Sequence, residues 1–268
     1  MTGSPCLFRV EMSVPPKALS GTWQTHELTF VPANNRRIWY SLAGVDVEAA
    51  PGSYRLELQA NLPDGSVLRE QRTVLVTRAK FPTEALRVPQ RYVEPDPETR
   101  VRIEADQQLK HAAFAHQAPV EWSGNFRPPI ESSVSEGFGT RRTFNGKLAS
   151  IHRGLDYHAA PGTPVTAANS GEVVLARELF YEGNCVIVDH GQGFATIYMH
   201  LSQLEVNEGQ RLEKGQELGL SGATGRATGP HLHVAVRWQG AYLDPAKLWA
   251  LHLPELPEAS VSPVKAAR

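Results

Sequence analysis

The stretch "TGPHLHV", residues 228–234, places two histidines one residue apart after a Gly-Pro turn signal. Residues i and i+2 of an extended segment point to the same side of the strand, with Cα atoms about 6.5 Å apart. His231 and His233 could therefore share one site as metal ligands, as catalytic groups or as hydrogen-bonded core residues. The pattern leaves these alternatives open, so their partners must be sought elsewhere in the chain.

Histidines are concentrated in the same part of the chain, where six of the ten lie between His152 and His233. The segment "SIHRGLDYHAA" contains His152 and Asp156. On a straight strand their Cα atoms would be about 13 Å apart, too far for two ligands that each lie about 2 Å from one Zn²⁺. Gly154 lies midway between them and predicts a bend that brings the two side chains together.

A third segment, "TIYMHLS", ends an apolar strand with His200, and we expect Tyr198 and His200 to share one face of that strand. A catalytic zinc takes three protein ligands, for which two histidines and one carboxylate are suitable, and leaves a position open for water. The remaining two imidazoles would then handle protons and stabilise charge. The five candidates are His152, Asp156, His200, His231 and His233.

For two further histidines the sequence favours structural roles. His158 has the strand parity of Asp156, but a fourth protein ligand would close the zinc site, so we expect an exposed or hydrogen-bonded side chain. His190 precedes a predicted tight turn in "VDHGQG", where a structural role is favoured.

The composition is that of a globular protein, with 41% hydrophobic and 21% charged residues. A net charge of −1 gives no reason to expect nucleic acid as a partner. No run of about 18 apolar residues predicts a membrane span, and the start "MTGSPCLFRV" shows no signal peptide. At 268 residues the chain is long enough for two domains.

The first 80 residues predict a small Ig-like β-sandwich that serves as an accessory domain. Short strands alternate with turn signals there, and Pro63, Asp64 and Gly65 predict a hairpin between "SYRLELQANL" and "REQRTVLV". Residues 81–118 predict a linker with one helix, because Asp96 is a suitable N-cap and Pro97 suits the first helical position.

Residues 119–250 return to a β pattern with glycines at most turns, which predicts a compact, bent antiparallel sheet. Residues 251–268 have little apolar surface and are predicted to be a mobile tail. The predicted fold is therefore mainly β, with a sandwich, a linking helix and a second β domain.

Residues from about 130 to 248 resemble the lysostaphin-type, or LytM-like, zinc metallopeptidases, which cut peptide cross-links in bacterial cell-wall peptidoglycan. The resemblance rests on His-x-x-x-Asp at His152, Tyr-x-His-Leu at Tyr198 and Thr-Gly-Pro-His-Leu-His at Thr228, which occur in the family's order. The N-terminal sandwich and the segment after it are similar, more loosely, to the accessory region of some exported bacterial members.

The resemblance implies that His152, Asp156 and His233 hold one zinc ion, while His200 and His231 are the catalytic histidines. It implies an endopeptidase whose substrate is peptidoglycan and whose site of action is the periplasm or cell envelope. The zinc would activate water, one of the two histidines would move its proton, and the other would stabilise the oxyanion. Which histidine does which stays open.

Other groups are candidates for substrate contacts. Tyr198 could donate to an oxyanion or be a packed core tyrosine, and Arg141 and Arg142 could meet substrate carboxylates or lie in solvent. The rival hypotheses are a non-catalytic LytM-like protein that binds cell wall or regulates an amidase, and a purely structural zinc. All five candidate positions are filled, which favours an enzyme, and we expect it to be a monomer.

Overall fold

The computed structural model describes residues 1–116, 118–146 and 148–257 of the chain. The N-terminal part forms seven strands. These are β1 (Pro5–Glu11), β2 (Ala18–Trp23), β3 (His26–Thr29), β4 (Val31–Pro32), β5 (Ile38–Gly44), β6 (Gly52–Asn61) and β7 (Val67–Val76).

These strands build the predicted sandwich from two antiparallel sheets, with orders β1-β5-β4 and β3-β2-β6-β7. Trp23, Leu42 and Leu56 are buried within it. The predicted hairpin is confirmed as β6 paired with β7. Its turn is held by Asp64, whose Oδ1 accepts the Ser66 amide proton at 2.9 Å.

The segment after the sandwich contains β8 (Thr83–Leu86), a short 3₁₀ helix (Gln90–Tyr92) and α1 (Pro97–Phe114). The predicted start of the helix is confirmed, because the Asp96 side chain accepts the Thr99 amide proton at 2.7 Å. The sequence reading missed β8, which pairs in parallel with a strand of the C-terminal part.

The remaining elements follow in the C-terminal part, mostly as short strands. They are β9 (Val134–Glu136), β10 (Arg141–Phe144), β11 (Leu148–Ile151), β12 (Leu155–His158), β13 (Pro164–Thr166), β14 (Gly171–Leu179), β15 (Gly183–Asp189), β16 (Phe194–Leu201), β17 (Gln203–Leu204), β18 (Arg211–Leu212), β19 (Glu217–Leu220), β20 (His231–Trp238), β21 (Ala241–Leu243) and α2 (Pro245–Trp249).

One antiparallel sheet dominates this part, with order β18-β14-β15-β16-β20-β12-β9 and β21 beside β20. Register shifts interrupt β14, β15 and β12, which agrees with the predicted bent sheet. Because β20 lies between β16 and β12, the three histidine-bearing segments of the sequence become neighbours in space. The topology thus assembles the site.

A large apolar cluster joins the sandwich to the C-terminal sheet. It contains Trp23 and Trp39 from the sandwich together with Phe194, Trp238 and Leu243. The two β parts are therefore packed against each other. The domain boundaries at residues 80, 118 and 250 stay a prediction.

The segment expected to begin a mobile tail packs against the core up to residue 257. Leu253 and Leu256 are buried, and their backbone amides donate to Asn125 Oδ1 and Ser123 Oγ, respectively. These two leucines supply apolar contacts that the composition of residues 251–268 as a whole did not predict. Residues 258–268 of the predicted tail lie outside the described residues.

Candidate active site

The three predicted zinc ligands lie together where β12 and β20 pair. Asp156 is directly opposite His233 in the antiparallel register. His152 Nε2 lies 3.1 Å from Asp156 Oδ1 and 3.0 Å from His233 Nδ1, and 2.6 Å separates His233 Nδ1 from Asp156 Oδ1. The side chains converge on one point.

The bend predicted at Gly154 is present between β11 and β12. A Cβ atom at this position would lie 2.4 Å from the Val234 carbonyl oxygen and 2.5 Å from His233 Nε2. Those distances are far below van der Waals contact, so the absence of a side chain lets the chain pass β20 closely. Gly154 thereby allows His152 to reach the same point as Asp156.

The chemistry of the donor atoms fits a zinc ion. His152, Asp156 and His233 are buried and can offer two imidazole nitrogens and one carboxylate oxygen within 4.8 Å of one another, a set that leaves a position for water. His152 Nδ1 donates to the Gly137 carbonyl oxygen at 2.8 Å. That bond leaves the lone pair of Nε2 directed at the centre.

Arg142 holds the outer oxygen of the carboxylate. Its Nη2 lies 2.9 Å from Asp156 Oδ2, and its Nε donates to Glu136 Oε1 at 2.7 Å. Burial would raise the pKa of Asp156, but its close contacts with the imidazoles of His233 and His152 outweigh burial and hold that pKa well below its usual range. The carboxylate is ionised, as a metal ligand must be.

Arg142 fits neither alternative considered for the two arginines, which were contact with substrate carboxylates or exposure to solvent. The Arg142 side chain is 15% exposed and is engaged by Glu136 and Asp156, so it supports a ligand from behind. Arg141 is exposed at the cleft and stays a candidate for substrate contact.

His200 and His231 flank the convergent ligands, with ring centroids 4.8 Å apart. His200 Nδ1 donates to the Thr224 carbonyl oxygen and His231 Nδ1 to that of Gly229, each at 2.8 Å. The Nε2 atom of each neutral ring is then a proton acceptor, and neither has a hydrogen-bond partner within the described parts of the chain. Burial, followed by electrostatic repulsion of a second positive charge near His231 and His233, lowers the pKa of His200 to about 3.

Tyr198 and His200 do not share a face of β16, contrary to expectation. His200 has a φ of +63°, a left-handed conformation that breaks strand alternation and turns its ring toward His231. Tyr198 faces the other way and is fully buried. Its hydroxyl accepts the Ala168 amide proton at 2.8 Å and is hydrogen-bonded to Thr196, so Tyr198 is a core residue.

The two histidines with predicted structural roles also have clear environments. His190 is fully buried. Its Nδ1 lies 2.7 Å from the Ser170 carbonyl oxygen and its Nε2 lies 2.8 Å from Thr196 Oγ1. Burial lowers the pKa of His190 to about 4. His158 is exposed at the rim of the cleft.

A cleft of about 1080 Å³ surrounds the site. Part of its wall is Thr83, Leu86 and Val88 from the segment after the sandwich, which the sequence reading treated as a linker. Arg226 also lines it and was missed, although it lies in "TGRATGPHLH", directly before the histidine motif. For the cleft wall, the sequence signal that could have been used is the alternation of polar and apolar residues around β8.

Together, the antiparallel sheet, the convergent His-Asp-His donors and the open cleft are the features of a metal-binding site. Residues 150–245 match the model of peptidase family M23. This match covers about a third of the chain and identifies a peptidase M23 domain within it.

Relatives agree with the assignment. The peptidoglycan DD-endopeptidase ShyA of Vibrio cholerae is 39% identical over 142 residues, 52% of this chain and 32% of the relative. The DD-carboxypeptidase/endopeptidase Mpg of Neisseria meningitidis is 37% identical over 135 residues, 50% of this chain and 31% of the relative. The chain thus spans about a third of the length of these curated relatives.

A crystal structure of an M23 peptidase from Pseudomonas aeruginosa resembles nearly the whole chain. It has a TM-score of 0.71 and 28% sequence identity, and the match covers 93% of this chain and 96% of the other. The similarity therefore extends over the N-terminal sheets as well as the family domain.

Proposed function

We propose that the protein is a zinc-dependent endopeptidase that hydrolyses peptide cross-links or stem peptides of bacterial peptidoglycan. The observation that carries the proposal is the convergence of His152, Asp156 and His233 beside two further imidazoles, whose Nε2 atoms have no hydrogen-bond partner in the described part of the chain. The names of the relatives ShyA and Mpg support a peptidoglycan substrate.

The proposed division of labour follows from hydrogen bonding. His152, Asp156 and His233 would hold one zinc ion, which supplies Lewis acidity toward a carbonyl and toward water. His200 and His231 have Nδ1 fixed on backbone carbonyl oxygens. Either ring can accept a proton at Nε2 from the attacking water and return it to the leaving amine. The other ring would stabilise the oxyanion, a role that requires a proton on its own Nε2.

The proposed site of action follows from the substrate. A peptidoglycan hydrolase acts outside the cytoplasm, so we propose an extracytoplasmic site of action. No helix among the described residues is long and apolar enough to cross a membrane. The monomeric state stays a prediction, which the molar mass from light scattering would test.

The function is tested by digesting purified peptidoglycan with the zinc-loaded protein and identifying released fragments by mass spectrometry. We expect new peptide termini, and we expect them to disappear with His231→Ala although zinc stays bound. Glycan-strand cleavage or unaltered release by His231→Ala would contradict the proposal. No release by a zinc-loaded protein would favour the rival, a wall-binding or amidase-regulating protein.

A further inference from the structure

Arg226 lies in the loop between β19 and β20, next to the candidate catalytic histidines. The carbonyl oxygen of Thr224, two residues earlier, accepts the His200 Nδ1 proton. The Arg226 side chain lines the same cleft as His200 and His231. A group bound by Arg226 would therefore lie in the cleft that contains the candidate catalytic histidines.

The backbone at Arg226 is fixed by close packing. Its amide donates to the Tyr181 carbonyl oxygen at 2.8 Å. Gly225 has a φ of +70°, and a Cβ there would lie 2.3 Å from the Gly183 amide nitrogen. The Tyr92 hydroxyl, from the segment after the sandwich, donates to the Gly225 carbonyl oxygen at 2.5 Å.

The side chain is held as firmly as the backbone. The guanidinium carbon lies 4.8 Å from the centroid of the Phe144 ring and 4.6 Å from that of Tyr181. Contacts with ring faces fix a guanidinium while leaving its N–H groups available at the edges. Arg226 is therefore preorganised to donate to a planar anion.

Most cations of the cleft are paired with carboxylates, but Arg226 and the exposed Arg141 have no ion pair within the described residues. Arg226 differs from Arg141 because its guanidinium is held against two aromatic rings. Three other cations there have carboxylate partners: Arg142 with Glu136 and Asp156, Arg153 with Glu48, and Lys110 with Glu182. Within the described ranges, Arg226 has no ion pair. Glu182 acts on Arg226 electrostatically, but its Oε1 is engaged by Lys110.

We propose that Arg226 binds a free carboxylate of the substrate peptide next to the scissile bond, so that the enzyme prefers acidic peptides to their amidated counterparts. The proposal rests on the peptidase function proposed above. A guanidinium can bind a carboxylate through two parallel hydrogen bonds, which gives both affinity and orientation. A carboxamide lacks the charge and the second acceptor, so it would bind less well.

The test uses two synthetic cross-linked peptides that differ only in a carboxylate or a carboxamide beside the cleaved bond. We expect the zinc-loaded full chain to cleave the acid with a kcat/KM about 10- to 100-fold higher. Arg226→Gln should abolish this preference, mainly through a higher KM for the acid, and Arg226→Lys should retain part of it. Bound zinc is measured in each variant.

Arg153→Gln is the matched control. Arg153 lies in the same cleft, 5.0 Å from the Tyr242 ring centroid, but its charge already has Glu48 as a partner. We expect its ratio of acid to amide cleavage to stay within about fivefold of the wild-type ratio. An equal loss of preference in Arg153→Gln would point to general electrostatics and would overturn the assignment to Arg226.

Other outcomes separate the two proposals. Cleavage of neither peptide by the zinc-loaded wild type, with purified peptidoglycan also left intact, would refute the peptidase function. Equal cleavage of both peptides by the wild type would refute only the role of Arg226. If Arg226→Gln slows both peptides equally and Glu182→Gln restores the rate, Arg226 serves to neutralise Glu182, which also overturns the proposal.

Discussion

The histidines that lie on the two sides of β16 differ in how their ring nitrogens are hydrogen-bonded. On the core face, His190 has both ring nitrogens engaged, by the Ser170 carbonyl oxygen and by Thr196 Oγ1. On the cleft face, only Nδ1 of His200 and of His231 has a hydrogen-bond partner among the residues that the structure describes. Burial alone does not separate the two, since His190 and His200 are both buried. The unengaged second nitrogen marks the face where chemistry can occur.

The largest expected effects come from the two histidines of β20 at the cleft, His231 and His233. His233→Ala removes one of the convergent donors, so we expect it to lose stoichiometric zinc and all measurable activity. His231→Ala should keep zinc and lose about 10²- to 10⁴-fold in activity, because only proton transfer is removed. Metal content by mass spectrometry, measured beside peptidoglycan digestion, distinguishes them. Zinc loss in His231→Ala or full turnover in His233→Ala would contradict the division.

The core face is tested by the pH dependence of stability. Folded protein keeps His190 neutral down to a pKa of about 4, whereas in the unfolded chain it binds a proton near pH 6.5. Protons then favour the unfolded state, so the free energy of unfolding falls between pH 6.5 and 4, by about 3 kcal/mol for this residue. Urea unfolding of wild type and His190→Gln measures the difference.

The expected sign is a shallower pH dependence in His190→Gln than in the wild type. His158→Gln is the control, because His158 is exposed at the cleft rim and its loss should leave the slope as it is. Identical slopes in wild type and His190→Gln would show that the buried ring does not resist protonation.

A smaller effect separates the adjacent arginines of β10. Arg142→Met removes the group that holds Asp156 Oδ2, and we expect zinc affinity to fall about 10- to 100-fold, as for other partners of metal ligands. Arg141→Met should leave zinc affinity unchanged because Arg141 is exposed. Competition with a chromogenic chelator measures both. Equal affinities would mean that Glu136 and the backbone suffice to place Asp156.

The sequence predicted the pieces of the site better than their directions. Spacing along "HLH" and "HRGLD" was sufficient because strand periodicity and a glycine bend are local properties. The face of His200 was not predictable, because its left-handed φ has no local signal in "YMHL". The roles of Arg142 and Arg226 depend on Glu136, Phe144 and Tyr181, which only the sheet topology and loop packing bring near them.

The smallest predicted effect concerns Tyr198, which the sequence wrongly placed on the same face of β16 as His200. Tyr198→Phe removes a hydroxyl that accepts the Ala168 amide proton, so we expect a loss of about 1 kcal/mol in stability and unchanged kcat/KM. Tyr54→Phe, which removes a hydroxyl bonded to the Ala50 carbonyl oxygen in the sandwich, provides the stability reference. A fall in kcat/KM for Tyr198→Phe at equal zinc content would mean that its hydroxyl reaches the substrate, and the two faces of β16 would no longer be functionally separate.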